Sequence, residues 1–109
     1  MNQVFIRVYA DCKDDDEAAK LAQTLELTLS PYDPVATGAP TRYWKLPELF
    51  GFTYRLSSPA RDIWEELISD ADGWLQSADE QDRSAVWNRV GDRRFLISEA
   101  RWAELQTHA

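Results

Sequence analysis

Eight carboxylates stand between positions 62 and 82 (Asp62, Glu65, Glu66, Asp70, Asp72, Asp79, Glu80 and Asp82), with no Lys or Arg among them. Clustered acids can hold a divalent cation, work as a general acid and base, or create a field that steers a basic partner. The first use needs a ligand order that is missing. Asp70-Ala-Asp72 and Asp79-Glu80-Gln81-Asp82 resemble fragments of oxygen-ligand loops. Neither has the twelve-residue spacing of a calcium loop with its central Gly and terminal Glu. The second use, as in glycoside cleavage, needs two carboxyl groups at a set separation across a cleft, and 109 residues leave little room for one. The third use survives. The stretch carries −8 where the whole chain carries −7, so the remainder is close to neutral.

Other catalytic chemistry has few residues to draw on. A cysteine nucleophile needs a base nearby, and the single histidine, His108, lies one residue from the end of the chain, far in sequence from the single Cys12. Cys12 is expected instead to close the first strand as a small apolar side chain. One Cys and one His cannot build a zinc site, and one Cys cannot form an internal disulfide. Four scattered glycines form no phosphate-binding loop. Neither an enzyme nor a cofactor is expected. Arg83, Arg89, Arg93 and Arg94 could form an anion-binding patch, but pairing with the acids of the preceding segment is the simpler expectation. A net charge of −7 argues against a nucleic-acid partner, because the phosphate backbone repels such a surface. No basic segment precedes an apolar run and no apolar run reaches membrane length, so a cytoplasmic location without a membrane anchor is expected.

The elements that must position these residues are legible from periodicity. Residues 3–10 alternate Val4, Ile6, Val8 against Phe5, Arg7, Tyr9, the period of a strand. Asp14, Asp15, Asp16 and Glu17 open a helix whose stripe is Ala18, Leu21, Ala22, Leu25 and Leu29. Acids in a first turn accept from unpaired backbone N–H groups and complement the helix dipole. Pro31 ends it, and residues 30–40, with three prolines and Gly38, read as a loop. Residues 41–46 and 49–57 read as strands, the second with Phe50, Phe52, Tyr54 and Leu56 on one face and Gly51, Thr53 and Arg55 on the other.

Ser58 as N-cap and Pro59 at the first position then start a second helix. It buries Ile63, Trp64, Leu67, Ile68 and Ala71, turns Asp62, Glu65, Glu66, Ser69 and Asp70 outward, and ends at Gly73. Residues 77–83 read as exposed polar chain. Residues 84–90 and 93–98 flank Gly91-Asp92 as a hairpin with Phe95 and Ile97 inward. Residues 99–106 fit a short helix or a strand equally well. The expected fold is one α+β domain, a ferredoxin-like βαββαβ sandwich with an extra C-terminal strand or short helix, its antiparallel sheet carrying two helices on one face.

A partner-binding surface gains its on-rate from charges at the rim and its affinity from a few buried aromatic side chains. The first is supplied by Glu65, Glu66, Asp70, Asp72, Asp79, Glu80 and Asp82. Trp74, set among them, is the foremost anchor, and Tyr32 and Tyr43, at the borders of the Pro-rich loop, come next. In its size, charge and segments DIWEELISDADGWL, SADEQD and RRFLISEARWAELQ, the chain resembles the immunity proteins of bacterial contact-dependent inhibition and related polymorphic toxin systems. The resemblance covers organisation and carries no diagnostic motif. It implies a protein, monomeric when free, that neutralises a cognate and basic toxin domain such as a nuclease by occluding its active site. The alternative is a regulatory ferredoxin-like domain that senses a small molecule as a homodimer.

Overall fold

The computed structural model describes residues 3–57, 62–78, 82–90 and 94–108. Strand β1 (Gln3–Asp11) leads to helix α1 (Asp15–Thr28), a single 3-10 turn (Ser30–Tyr32) and two short strands, β2 (Val35–Ala36) and β3 (Thr41–Arg42). Strand β4 (Leu49–Leu56) follows, then helix α2 (Ile63–Ser69) and three strands, β5 (Leu75–Ala78), β6 (Asp82–Asn88) and β7 (Ala100–His108). One sheet takes them all in the order β2-β4-β1-β7-β6-β5, with β3 also on β4.

The architecture is α+β, an antiparallel sheet carrying both helices on one face. Alternation along the strands decides which face. Val4, Ile6, Val8 and Ala10 of β1 sit opposite Leu56, Tyr54, Phe52 and Phe50 of β4, and all eight are buried. Leu105 and Ala103 of β7, and Ala85 and Trp87 of β6, continue the same rows. Ala18, Leu21 and Leu25 of α1 and Ile63, Trp64 and Leu67 of α2 belong to the same core. Burying each large apolar side chain contributes about 1.5–3 kcal/mol, so this layer dominates stability.

Several expectations hold. Asp14 caps α1 by accepting from the Glu17 backbone N–H at 2.9 Å, and the helix ends before Pro31. The stripe from Ala18 to Leu29 is buried, with Ala22 half-buried at its edge. Others need correction. The strand order differs from a ferredoxin-like sandwich, which sets its first and third strands side by side in parallel through a split βαβ unit. Here each described pairing is antiparallel, and β1 lies between β4 and β7. The ambiguous C-terminal segment is β7, a nine-residue strand at the centre of the sheet.

Within the segment expected as a strand over 41–46, the strand is confined to Thr41–Arg42, with the Tyr43 N–H still donating to the Leu49 carbonyl at 2.8 Å. The segment 30–40 contains the 3-10 turn and β2, because Thr37 and its neighbours pair along the edge of β4. Helix α2 is capped by Asp62, whose carboxylate accepts from the Glu65 N–H at 3.3 Å; Ser58 and Pro59 lie outside the described residues. It ends at Ser69 with Asp70 as C-cap, and Gly73 serves the following turn at φ 94°.

Residues 84–88 do not pair with 93–98 in the hairpin expected about Gly91-Asp92. β6 pairs with β5 on one side and β7 on the other, so much of the stretch 77–83 is sheet; Gly91–Arg93 lie outside the described residues. Phe95 and Ile97 do point inward, but through a tight turn in which the Ile97 N–H donates to the Phe95 carbonyl at 2.6 Å with Leu96 at φ 61°. A γ-turn with its central residue at positive φ is a rare and strained conformation.

Candidate partner-binding surfaces

Two surfaces could carry function, and they lie on opposite sides of the sheet. The first is the acidic edge of α2. Glu65, Glu66 and Asp70 on the helix and Asp72 just beyond it gather on the helix-covered side, with Trp74 close by. Asp82 opens β6 and shares a face with Ser84 and Val86, the other side of the sheet. Asp79 and Glu80 lie outside the described residues.

Several of these acids serve the fold. Asp70 Oδ2 accepts from the Leu96 N–H at 3.1 Å and so holds the strained turn. Glu65 lies 3.7 Å from Arg83, whose guanidinium stacks 4.4 Å above the Trp64 ring. Glu66 accepts from the Tyr32 hydroxyl at 3.3 Å. Asp72 is exposed, and its backbone carbonyl accepts the Trp87 indole N–H at 3.1 Å. Trp74 is half-buried, packs edge-on to Phe95 with ring centroids 5.0 Å apart, and holds a buried indole N–H without an acceptor. Its ring closes the core at this end.

The second surface is the uncovered face of the sheet. Tyr9 of β1 stacks on Trp102 of β7 at 4.5 Å and 19°, and Tyr43, just past β3, tilts over both at 4.8 and 6.0 Å. Register explains the stack, since Tyr9 is paired with Trp102 on one side and Gly51 on the other. A Cβ at Gly51 would meet the Tyr9 ring at 3.2 Å, so the glycine makes room for the tyrosine. Trp44 continues the aromatic wall, 79% exposed, with the Lys45 ammonium 5.2 Å from its ring.

Together these residues line a groove of about 520 Å³ that also includes Arg7, Thr53 and Glu104. Past those three it continues into a second hollow of about 310 Å³ beside Phe5, Thr37 and Gln106. The charges differ in sign from the rest of the chain. Arg7, Arg55 and Lys45 belong to this face, against Glu104, which lies 3.8 Å from Arg7, and Asp82 at the far edge. Arg42 also borders the groove, but its guanidinium is engaged elsewhere, donating to the Pro47 carbonyl at 2.6 Å and lying over Phe50.

Cys12 and His108 cannot meet. Cys12 follows the last residue of β1 and His108 pairs with Gln3 at its first, so the length of the strand, about 30 Å, separates them. Burial first, then the charges of Glu17, Glu99 and Asp11, push the Cys12 thiol up to about 11, which suppresses its thiolate. No group of three or more His, Cys, Asp or Glu among the described residues is arranged to hold a metal ion. Of the arginines expected to pair with the α2 acids, Arg83 does so through Glu65. Arg89 instead joins Arg101 on Asp11, at 3.7 and 3.1 Å.

Sequence reading identified Tyr43 among the anchors and missed its partners Tyr9, Trp44 and Trp102. Alternation in β1 already set Tyr9 and Arg7 opposite the core. Only the β7 register, which residues 99–106 do not declare, brings Trp102 beside Tyr9. No helix among the described residues is long and apolar enough to cross a membrane. Comparison with protein families, with curated proteins and with solved structures finds no match to this chain.

Proposed function

We propose that this chain is an inhibitor of the immunity type, which binds a cognate toxin domain one-to-one in the cytoplasm and blocks its active site. The observation that supports this most is the uncovered sheet face. Large aromatic side chains are held rigidly there by stacking, beside a Trp that is almost wholly exposed. Rigid aromatics lose little side-chain entropy on contact and dominate the energetics of protein–protein interfaces. The −7 net charge, concentrated at the α2 edge, steers a basic partner from a distance. In this reading Glu65, Glu66, Asp70 and Asp72 at the α2 edge and Asp82 on the other face supply the steering charge. Asp79 and Glu80 add theirs from outside the described residues, and Trp74, packed on Phe95, is the apolar side chain beside the α2 acids.

The division of labour follows from geometry. Long-range steering needs net charge and tolerates carboxylates that also serve the fold. Close contact needs concave, partly apolar surface, which the groove offers. The test is co-expression with the C-terminal region of the protein encoded next to this one in its source genome. Rescue of growth together with a one-to-one complex weakened by salt is expected. A harmless neighbour that does not co-purify would sink the reading.

A further inference from the structure

The sign of the groove is opposite to that of the molecule, and the difference specifies what should lie in it. A chain of net charge −7 places Arg7 and Lys45 in this aromatic groove and Arg55 on the same face, against one groove carboxylate among the described residues, that of Glu104, 3.8 Å from Arg7. A basic segment would meet these cations at close range, where like charges are costly. A second copy of this chain, docked face to face, would bring two such sets together. The shape selects further. The two hollows, about 520 and 310 Å³, join at Arg7, Thr53 and Glu104 and run along the strands, from the row of Tyr9 and Trp102 to that of Phe5 and Gln106, which suits an extended segment better than a compact ligand. We infer that the groove receives an extended acidic segment of the partner protein, its aromatic or aliphatic side chains laid on Tyr43, Trp44 and Trp102 and its Asp or Glu carboxylates directed to Arg7 and Lys45.

This deepens the inhibitor reading and rests on it for the identity of the partner, though not for the chemistry of the groove. A basic toxin domain steered by the α2 edge would thus be gripped through a locally acidic stretch. Charge complementarity at contact differs from the charge balance of the whole, and contact is what sets the off-rate.

Two experiments separate the claims. In the first, the 15N-labelled chain is titrated with capped octapeptides of alternating Phe and Asp, alternating Phe and Lys, or alternating Ser and Asp. The Phe/Asp peptide should move the indole N–H signals of Trp44 and Trp102 and bind at least tenfold more tightly than either other peptide. In K45E the preference over Phe/Lys should fall several-fold, with the fold intact. Equal or tighter binding of Phe/Lys, movement centred on α2, or no binding by any peptide would each overturn the inference. In the second, Trp44→Ala and K45E are compared with the wild type in the co-expression assay. Protection by the wild type that both variants retain in full would also overturn it. A wild type that gives no protection counts against the inhibitor reading alone, and the peptide titration then decides the groove.

Discussion

The two faces of the sheet are built from alternate residues of the same strands and have almost nothing else in common. On the covered face, rows such as Val8 with Phe52 and Ala103 are apolar throughout and essentially without solvent contact. On the uncovered face the neighbouring rows are Tyr9 with Gly51 and Trp102, then Arg7 with Thr53 and Glu104. Trp87 and Trp102 mark the difference most sharply. They stand on adjacent strands, one row apart and on opposite faces. The first is fully buried with its N–H bonded to Asp72, whereas the second forms the floor of an open groove and its N–H has no acceptor. Residue type alone therefore says little about role here, and the face decides it.

The largest effect should come from the covered side. Trp87→Ala removes a ring packed against Phe95 at 5.6 Å and leaves the Asp72 carbonyl without its donor. A loss of about 3–5 kcal/mol is expected in urea unfolding, a large share of the stability of a domain this size. A loss below about 1 kcal/mol would mean the two faces are not so unequal.

Next comes pH. Cys12 and Tyr54, both on the covered side, have their ionisation suppressed, Cys12 to about 11 and Tyr54, by burial and then by Glu26, to about 12. Each folded value lies above the unfolded one, so the unfolded chain sheds its protons first. Their contributions are therefore complete below pH 9 and lost as pH rises, Cys12 between about 9 and about 11 and Tyr54 from about 10 to about 12. The Cys12 part is on the order of 2 kcal/mol. Unfolding free energies measured from pH 8 to 11 should fall, and C12A should flatten the first part of that slope. A C12A profile parallel to the wild type would remove Cys12 as its source.

Asp70 follows. Its carboxylate secures the backbone of Leu96 at positive φ, and Asp70→Ala should cost about 1–2 kcal/mol as that N–H loses its acceptor. Asp70→Asn retains an acceptor oxygen and should recover at least half of the loss. Equal losses in the two variants would show that charge, not the bond, matters at this edge of α2.

How much of this was legible follows from the same contrast. Periodic signals suffice where one side of an element is buried and the other wet, so β1, β4 and α1 emerge from spacing, and so do the inward Phe95 and Ile97. β7 defeats that logic. Trp102 and Glu104 face the groove while Ala103 and Leu105 face the core, so the large apolar Trp102 and the small Ala103 are set against the usual in-and-out pattern. The β-bulge at Tyr9/Ala10 also shifts the register, which no local pattern announces. The acids of α2 were legible as a cluster but not as individuals. That Asp70 reaches Leu96 and Glu65 pairs Arg83 depends on contacts 26 and 18 residues away along the chain. Charge density reads from composition; employment of each carboxylate reads only from the fold.

The smallest expected effect is the most discriminating. Trp44 is as large as Trp87, yet it is 79% exposed and meets mainly Tyr43, edge-on at 6.4 Å, and the Lys45 ammonium. Removing it takes almost nothing from the core, so Trp44→Ala should change unfolding stability by no more than about 0.5 kcal/mol. Leu75, 72% exposed on β5 in the row of Val86 and Glu104, belongs to the same class. Its replacement by Thr, a good strand former, should also be nearly neutral. An unfolding loss above about 1.5 kcal/mol in Trp44→Ala would make the exposed tryptophan part of the scaffold after all. A near-zero loss means that the chain exposes this large apolar side chain without needing it to fold, the property a contact residue of the uncovered face must have.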